Sequence, residues 1–153
     1  MLAKSLKAYL DKRKVKYLTI THSPAYTASE VAQAAHVPGA IMAKTVMVEI
    51  DGKPAMAVLP ANQRVRLDDL RDLTATDDVR LAHEDEFKRF FPDCEAGAMP
   101  PFGNLYDMPT YVSPGLAAKG EIVFNAGTHT EAIRMSWSDY EHLVKPRVAR
   151  FAA

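Results

Sequence analysis

The chain has 153 residues, of which 48% are hydrophobic and 25% are charged, and its formal net charge is zero. These values are ordinary for a globular domain, and no apolar run approaches the roughly 18 residues of a membrane span. One cysteine, Cys94, excludes an internal disulfide and agrees with a reducing compartment. We therefore expect one domain over residues 1–153, soluble and cytoplasmic, with no secretion signal and no membrane contact.

Hydrophobic spacing and turn residues predict alternating helices and strands. Leu2, Leu6 and Leu10 recur at helical spacing and predict the first helix. The predicted elements, in chain order, are a helix ending near residue 14, a strand at 17–21, a helix at 27–38, strands at 45–50 and 53–59, a helix at 67–73, a strand at 79–82, a helix at 84–91, strands at 109–112, 121–125 and 130–135, and a helix at 138–146.

Local signals fix the ends of several of these elements. Thr27 to Glu30 and Ser138 to Glu141 have the spacing of capping boxes, which predicts that each threonine or serine begins a helix. Asp51-Gly52 between two apolar runs predicts a tight β-hairpin. Because a hairpin occurs among alternating strands and helices, we expect a single α/β domain with a mixed β-sheet.

Charge is distributed unevenly along the chain. Basic residues crowd both ends, at Lys4, Lys7, Lys12, Arg13, Lys14 and Lys16 and at Lys145, Arg147 and Arg150, whereas residues 68–86 are acidic. If the two ends lie on one side, they form a basic surface for an RNA backbone. A solvated helix face explains the same lysines equally well.

The stretch from Gly97 to Gly103 reads Gly-Ala-Met-Pro-Pro-Phe-Gly. Adjacent prolines neither donate to a strand ladder nor continue a helix, so we expect an ordered loop with free carbonyl oxygens. Gly97 and Gly103 permit positive φ and close approach of a ligand to the main chain. Taken alone, the stretch is equally typical of a tight surface turn.

Three segments together carry a resemblance to a known family. Ala43-Lys44-Thr45, the loop from Gly97 to Gly103 and Phe124-Asn125-Ala126-Gly127, in this order, resemble the YbaK-like family of prolyl-tRNA synthetase-associated editing domains. The resemblance extends from about Tyr17 to Val144. It implies a curved mixed sheet with helices outside it, and hydrolysis of mischarged aminoacyl-tRNA carrying a small amino acid. It implies the acceptor end of aminoacyl-tRNA as partner, a synthetase as a second candidate partner, no DNA and no cofactor.

The resemblance also implies the site residues. Lys44 matches the lysine that secures the tRNA end or the substrate, and the loop matches the segment that helps to hold the amino acid and the attacking water. The implied catalytic residues are Lys44, Gly97 and Ala98. The implied substrate-binding residues are His22, Thr45, Met99, Pro100, Pro101, Phe102, Gly103, Asn125, Ala126 and Gly127.

The sequence departs from the family pattern at two places. Val112-Ser113-Pro114-Gly115-Leu116 lacks the aspartate that many members carry, and Phe91-Pro92-Asp93-Cys94-Glu95 stands where many members have Thr-Gly. These departures leave the amino acid and the tRNA unassigned. A single methylene changes binding by only about 1–3 kcal/mol, so a few side chains near the loop decide between alanine, serine, cysteine and threonine.

Other chemistries find little support in the residues. The histidines have no metal-ligand spacing, so we expect no metal site. Asp93 and Glu95 should raise the pKa of the Cys94 thiol, which favours a structural cysteine, and His129 is interpreted as a core or surface histidine. A lysine with an ordinary pKa near 10.4 would make Lys44 an anchoring charge rather than a base. The alternatives are a non-catalytic tRNA- or synthetase-binding module and a small-molecule sensor.

Overall fold

A computed structural model describes residues 3–153 of the chain. Its helices are α1 Lys4–Arg13, α2 Ala28–Ala34, α3 Leu67–Thr74, α4 Glu84–Phe87, α5 Pro114–Ala117 and α6 Trp137–Val144. Its strands are β1 Tyr17–Thr21, β2 Ala43–Ile50, β3 Lys53–Pro60, β4 Val79–Leu81, β5 Thr110–Val112, β6 Glu121–Thr128, β7 Glu131–Ser136 and β8 Arg147–Val148. Within residues 3–153, no helix combines the length and the apolar character needed to cross a bilayer.

The strands of this described part form two sheets. One is three-stranded and antiparallel in the order β1-β7-β6, and the other is five-stranded in the order β4-β2-β3-β5-β8. The second sheet is mixed, because β5 runs parallel to both β3 and β8 while β2 pairs antiparallel with β3 and β4. A parallel bridge between Met42 and Val123 joins the sheets. The predicted α/β fold with a mixed sheet and flanking helices is therefore confirmed.

The strongest local signals give the predicted structures. Asp51 and Gly52 take φ values of 52° and 78°, the two positive angles that a tight hairpin turn requires. Thr27 caps α2, and its hydroxyl accepts from the backbone N–H of Glu30 at 3.1 Å. That helix ends at Ala34 rather than near Pro38, because His36 already adopts a left-handed φ of 57°. Leu2, used to predict the first helix, lies outside the described residues.

The predicted start of the last helix is wrong by two residues. The N-cap of α6 is Ser136, whose hydroxyl accepts from the backbone N–H of Asp139 at 3.1 Å. Ser138 lies inside the first turn. Both serines stand three residues before an acidic residue, so the local pattern alone does not choose between them.

Two helices cover opposite faces of the three-stranded sheet. Phe124 and Ala126 of β6 pack in the largest core cluster with Leu6 and Leu10 of α1. Val123 belongs instead to the cluster that contains residues of α2. Because successive side chains of a strand point to opposite faces, β6 divides its residues between α1 and α2.

Candidate functional site

The candidate site lies along one edge of β6. The backbone N–H of Val123 donates to the carbonyl of Ile41 at 2.9 Å, beside the start of β2. Farther along the same strand, the N–H of Gly127 donates to the carbonyl of Ala98 at 2.9 Å. Asn125 lies between these two contacts. The segment that carries Lys44 and the proline-rich loop therefore flank one residue of β6.

Lys44 is the second residue of β2 and is half-buried. Met42 and Val123 form a parallel bridge, and Lys44 and Asn125 each lie two residues after their bridged residue. By strand alternation both side chains face the α2 side. The ammonium Nζ is 3.5 Å from the carbonyl oxygen of Ala61. Burial, with a smaller contribution from the charge of Arg64, lowers the pKa of Lys44, so the expectation of an ordinary lysine pKa is wrong.

His22 brings a buried ring nitrogen to this face. Its Nδ1 is 2.8 Å from the carbonyl oxygen of Ser23, and because a carbonyl only accepts, Nδ1 carries the proton. In the neutral ring Nε2 is then a lone-pair acceptor, and this atom is buried without a hydrogen-bond partner among residues 3–153. The backbone of His22 continues the pairing of β1 with β7, since its N–H donates to Thr130 at 2.8 Å.

Asn125 adds a second acceptor of the same kind. The residue is 8% exposed, and its Oδ1 has no partner within the described part of the chain. It was expected where a strand ends, but β6 continues to Thr128 and a bulge separates Asn125 from Thr128. Gly127 lies in this bulge with a φ of 100°, and a Cβ there would come within 2.7 Å of the Ala3 side chain. Gly127 thus allows the start of α1 to pack closely.

The loop from Gly97 to Gly103 is more enclosed than the sequence predicts. Gly97 is exposed with a φ of 82°, whereas Ala98 to Gly103 are buried. The carbonyl of Pro100 accepts from the N–H of Phe102 at 2.8 Å, and that of Pro101 accepts from the Tyr140 hydroxyl at 2.6 Å. Among residues 3–153, only the loop carbonyls of Gly97 and Met99 lack such a bond. The expectation of a loop rich in free carbonyls is therefore wrong for most of its length.

Several predicted site residues face the core instead. Thr45 lies between Lys44 and Val46 and so points to the opposite face of β2 from Lys44. Phe102 and Ala126 are fully buried in the largest core cluster. Gly103 was expected to permit a positive φ and close approach of a ligand. Its φ is not positive, and a Cβ there would collide with Thr110 and Met108, so protein atoms fill that space. Of the predicted residues, the structure brings together His22, Lys44, Asn125 and the Gly97 end of the loop.

His129 connects the β6–β7 turn to this loop. Its Nε2 donates to the carbonyl of Ala96 at 2.8 Å, which leaves Nδ1 as a buried acceptor without a partner in the described chain. Its backbone N–H donates to the carboxylate of Glu95 at 2.8 Å. His129 therefore holds the residues immediately before Gly97, a role that its position in the sequence did not indicate.

Sequence reasoning missed two neighbours of the site. Arg64 lies near Lys44 because β3 returns the chain beside β2, and no local motif marks it. Tyr26 is 66% exposed, and its ring centroid lies 4.7 Å from that of His129. An isolated aromatic residue before a capping box is the only signal that would have identified it.

Cys94 lies outside the group of site residues. It belongs to a polar network with Asp93 and Tyr106 that also includes Ser5 of α1. Burial is the main cause that raises the pKa of the Cys94 thiol to about 12, and the charge of Asp93 adds to it. The predicted direction is confirmed. The carboxylate of Asp93 accepts from the Ser5 hydroxyl at 2.5 Å and from Tyr106 at 3.3 Å. In the described residues, no group of histidine, cysteine and acidic side chains is arranged to hold a metal.

The helix α1, which carries the first group of basic residues, contacts α6 two residues before Lys145 of the second group. The hydroxyl of Tyr9 in α1 donates to the carbonyl of Leu143 near the end of α6, at 3.3 Å. Lys12, Arg13 and Lys14 are exposed at the end of α1. Since α1 and α2 cover opposite faces of the sheet, this basic surface lies across the sheet from Asn125.

Comparisons with known proteins give the family and the fold of the chain. The model of the aminoacyl-tRNA editing domain family matches residues 22–143. The prolyl-tRNA editing protein ProX of Acetoanaerobium sticklandii is 25% identical over 153 residues, which cover 95% of this chain and 92% of that protein. A solved structure of a candidate trans-editing enzyme for prolyl-tRNA synthetase is 21% identical with a TM-score of 0.83, covering 99% of this chain and 96% of that one. Another, of hypothetical protein APE2540, is 18% identical with a TM-score of 0.87, covering 98% and 100%.

Proposed function

Because the chain belongs to the aminoacyl-tRNA editing domain family, we propose that it is a trans-acting deacylase, which hydrolyses the ester of mischarged aminoacyl-tRNA carrying a small amino acid. One observation carries the proposal. The Lys44 ammonium lies on the face of the sheet beside an exposed Gly97, and this face also holds two buried acceptors, on His22 and Asn125, without a partner among residues 3–153. The proposal treats residues 1–153 as one editing domain that acts in the cytoplasm, where charged tRNA is used.

The reaction needs a positioned water and little else. The water oxygen bonds to the ester carbonyl carbon and gives up a proton. The bond from that carbon to the ribose oxygen breaks, and the ribose oxygen takes up the proton to become a hydroxyl as the free amino acid leaves. An aminoacyl ester is already activated, so holding water and carbonyl at the right distance supplies much of the acceleration. This accounts for a site without a nucleophilic triad.

Lys44 would act on the charged parts of the substrate. Its ammonium can anchor the terminal phosphate or stabilise the negative charge that develops on the carbonyl oxygen. Half-burial beside Ala61 strengthens such an interaction, because water screens it less. The lowered pKa is consistent with a cation that has no carboxylate partner among residues 3–153 and that gains an anionic partner, a phosphate, when the RNA binds.

His22 and Asn125 would accept hydrogen bonds from the substrate and from the attacking water. Two buried acceptors without partners carry a desolvation cost that a bound donor removes. The α-ammonium group of an aminoacyl ester supplies up to three N–H donors, and the attacking water supplies two O–H donors. We assign Nε2 of His22 and Oδ1 of Asn125 to these groups, with the exposed main chain at Gly97 admitting the ester.

A panel of mischarged tRNAs tests the proposal. Purified protein should release alanine, serine, cysteine or threonine from at least one mischarged tRNA and spare the correctly charged tRNA. Tight tRNA binding without release would favour the non-catalytic module instead. Addition of a cognate synthetase tests the second partner, since a complex should raise the release rate at limiting protein.

A further inference from the structure

Tyr26 has a large side chain that lies outside the hydrophobic core. It lies between β1 and α2 and is 66% exposed, and within residues 3–153 it shares such exposure only with Leu18, Leu81 and Val148 among the large hydrophobic side chains. Isolated exposed aromatic residues need no special explanation by themselves. This one differs in its position, because it packs against His129, which binds the residue just before Gly97.

The Tyr26 ring packs at a tilt against the imidazole of His129. The ring centroids are 4.7 Å apart and the planes are inclined by 48°. His129 in turn donates to Ala96, and its Cε1 would lie 3.8 Å from a Cβ placed on Gly97. Tyr26 therefore stands at the rim of the candidate site, one ring away from the exposed glycine.

The main chain around Tyr26 is held on both sides. Ala25 is 4% exposed, and its N–H donates to the carbonyl of His129 at 3.1 Å. Thr27 is the N-cap of α2 and forms a reciprocal capping box with Glu30. A side chain anchored in this way loses little further freedom when a ligand packs on it.

We propose that Tyr26, backed by His129, is the stacking platform for the base of the nucleotide that carries the aminoacyl ester. This rests on the proposed function. If the ester lies at Gly97 and Lys44, the base attached to the same ribose reaches the rim of the site, where Tyr26 offers an exposed aromatic face. Stacking accepts any base, because every base has a π-face.

The test compares two substrates that share an amino acid and differ in the base. One is the 2′(3′)-aminoacyl ester of adenosine, and the other is the ethyl ester of the same amino acid. Tyr26→Ala should raise KM for the adenosine ester about five- to 150-fold, the range covered by stacking of one base on an aromatic side chain. The ethyl ester should be hydrolysed at the wild-type rate, and kcat at saturating adenosine ester should stay within about twofold.

Two variants separate stacking from structure. Tyr26→Phe keeps the ring and should keep the wild-type KM, while Leu18→Ala removes an equally exposed side chain of β1 and should change neither substrate. Equal losses on both esters, or an unchanged KM for the adenosine ester in Tyr26→Ala, would overturn the proposal while leaving the deacylase function intact. A wild-type protein that hydrolyses neither ester nor mischarged tRNA would overturn both.

Discussion

Both main-chain polar groups of Gly127 are hydrogen-bonded to the segment at the start of the proline-rich loop. The N–H of Gly127 donates to the carbonyl of Ala98 at 2.9 Å, and its carbonyl accepts from the N–H of Glu95 at 2.7 Å. Residues 95–98 are thereby attached to β6 like a short extra strand. The position of Gly97 relative to Asn125 thus depends on backbone hydrogen bonds, so single side-chain changes should act locally.

Lys44→Ala should lower deacylation at least a hundredfold. This corresponds to losing about 2.7 kcal/mol of electrostatic stabilisation of the transition state. The melting temperature should change little, because the ammonium makes only a long contact to Ala61. Lys53→Ala, an exposed lysine on the neighbouring strand, is the matched control. Full activity of the Lys44 variant would mean that Lys44 has no role in catalysis or substrate binding.

Gly97→Val should block the substrate more than it destabilises the fold. Gly120→Val is a matched control, because the two glycines have φ values of 82° and 76° and a Cβ would clash at neither. The nearest atom to a Cβ on Gly97 is Cε1 of His129 at 3.8 Å, and nothing lies within 4 Å of a Cβ on Gly120. Both variants should carry a similar backbone strain of about 1–3 kcal/mol. Only Gly97→Val should abolish turnover, as measured by deacylation and thermal melting together. Equal loss of activity in the two variants would mean that the loop has only a structural role.

Charge reversal of Lys12, Arg13 and Lys14 should weaken tRNA binding and flatten its salt dependence. Each phosphate contact that is lost lowers the slope of log K against log salt by about one. Turnover at saturating tRNA should stay unchanged, since these residues lie across the sheet from Asn125. Reversal of three exposed lysines elsewhere, Lys53, Lys88 and Lys119, changes the net charge equally and is the control. The same salt slope in both triple variants would locate the RNA surface elsewhere.

Cys94→Ser should retain activity, and so should wild-type protein treated with EDTA. A thiol with a pKa of about 12 is almost entirely protonated at neutral pH and is a poor nucleophile. The native protein should react slowly with iodoacetamide, and the unfolded protein quickly. Loss of turnover on chelation, with recovery on adding zinc, would mean that a metal binds the attacking water.

The ion pair of Glu86 with Arg80 should make stability depend on acid pH. The hydrogen bond from Arg80 lowers the pKa of Glu86 from its ordinary 4.5 to about 2. The ionised carboxylate therefore stabilises the fold above pH 4.5, and this contribution is lost as the pH falls towards 2. The melting-temperature difference between wild type and Glu86→Gln should be full at neutral pH and vanish near pH 2. Glu84→Gln, on the same helix, is the control.

Elements set by neighbouring residues were predictable from the sequence. The Asp51-Gly52 hairpin needs only two residues with positive φ, and α2 needs only its capping box. The start of α6 was not predictable, because Ser136 and Ser138 offer equivalent caps. The choice between them is made by packing, which buries Trp137 at the start of the helix.

The composition of the site depended on contacts between distant segments. Lys44 and Asn125 were named from motifs, but only the bridge of Met42 with Val123 places them on one face. Thr45 and Ala126 were named from the same motifs and lie on the other face. Tyr26 and His129 are brought together by the β1–β7 pairing, which leaves no local trace in the sequence.

The division of β6 between two faces makes the spacing of its residues critical. Phe124 and Ala126 belong to the core, while Asn125 between them faces the candidate site. A deletion or insertion of one residue in β6 would exchange the two faces of the strand. The ring of Phe124 would then point into the candidate site, and the amide of Asn125 would point into the hydrophobic core. Conservative substitutions should therefore be tolerated along this strand far better than any change in its length.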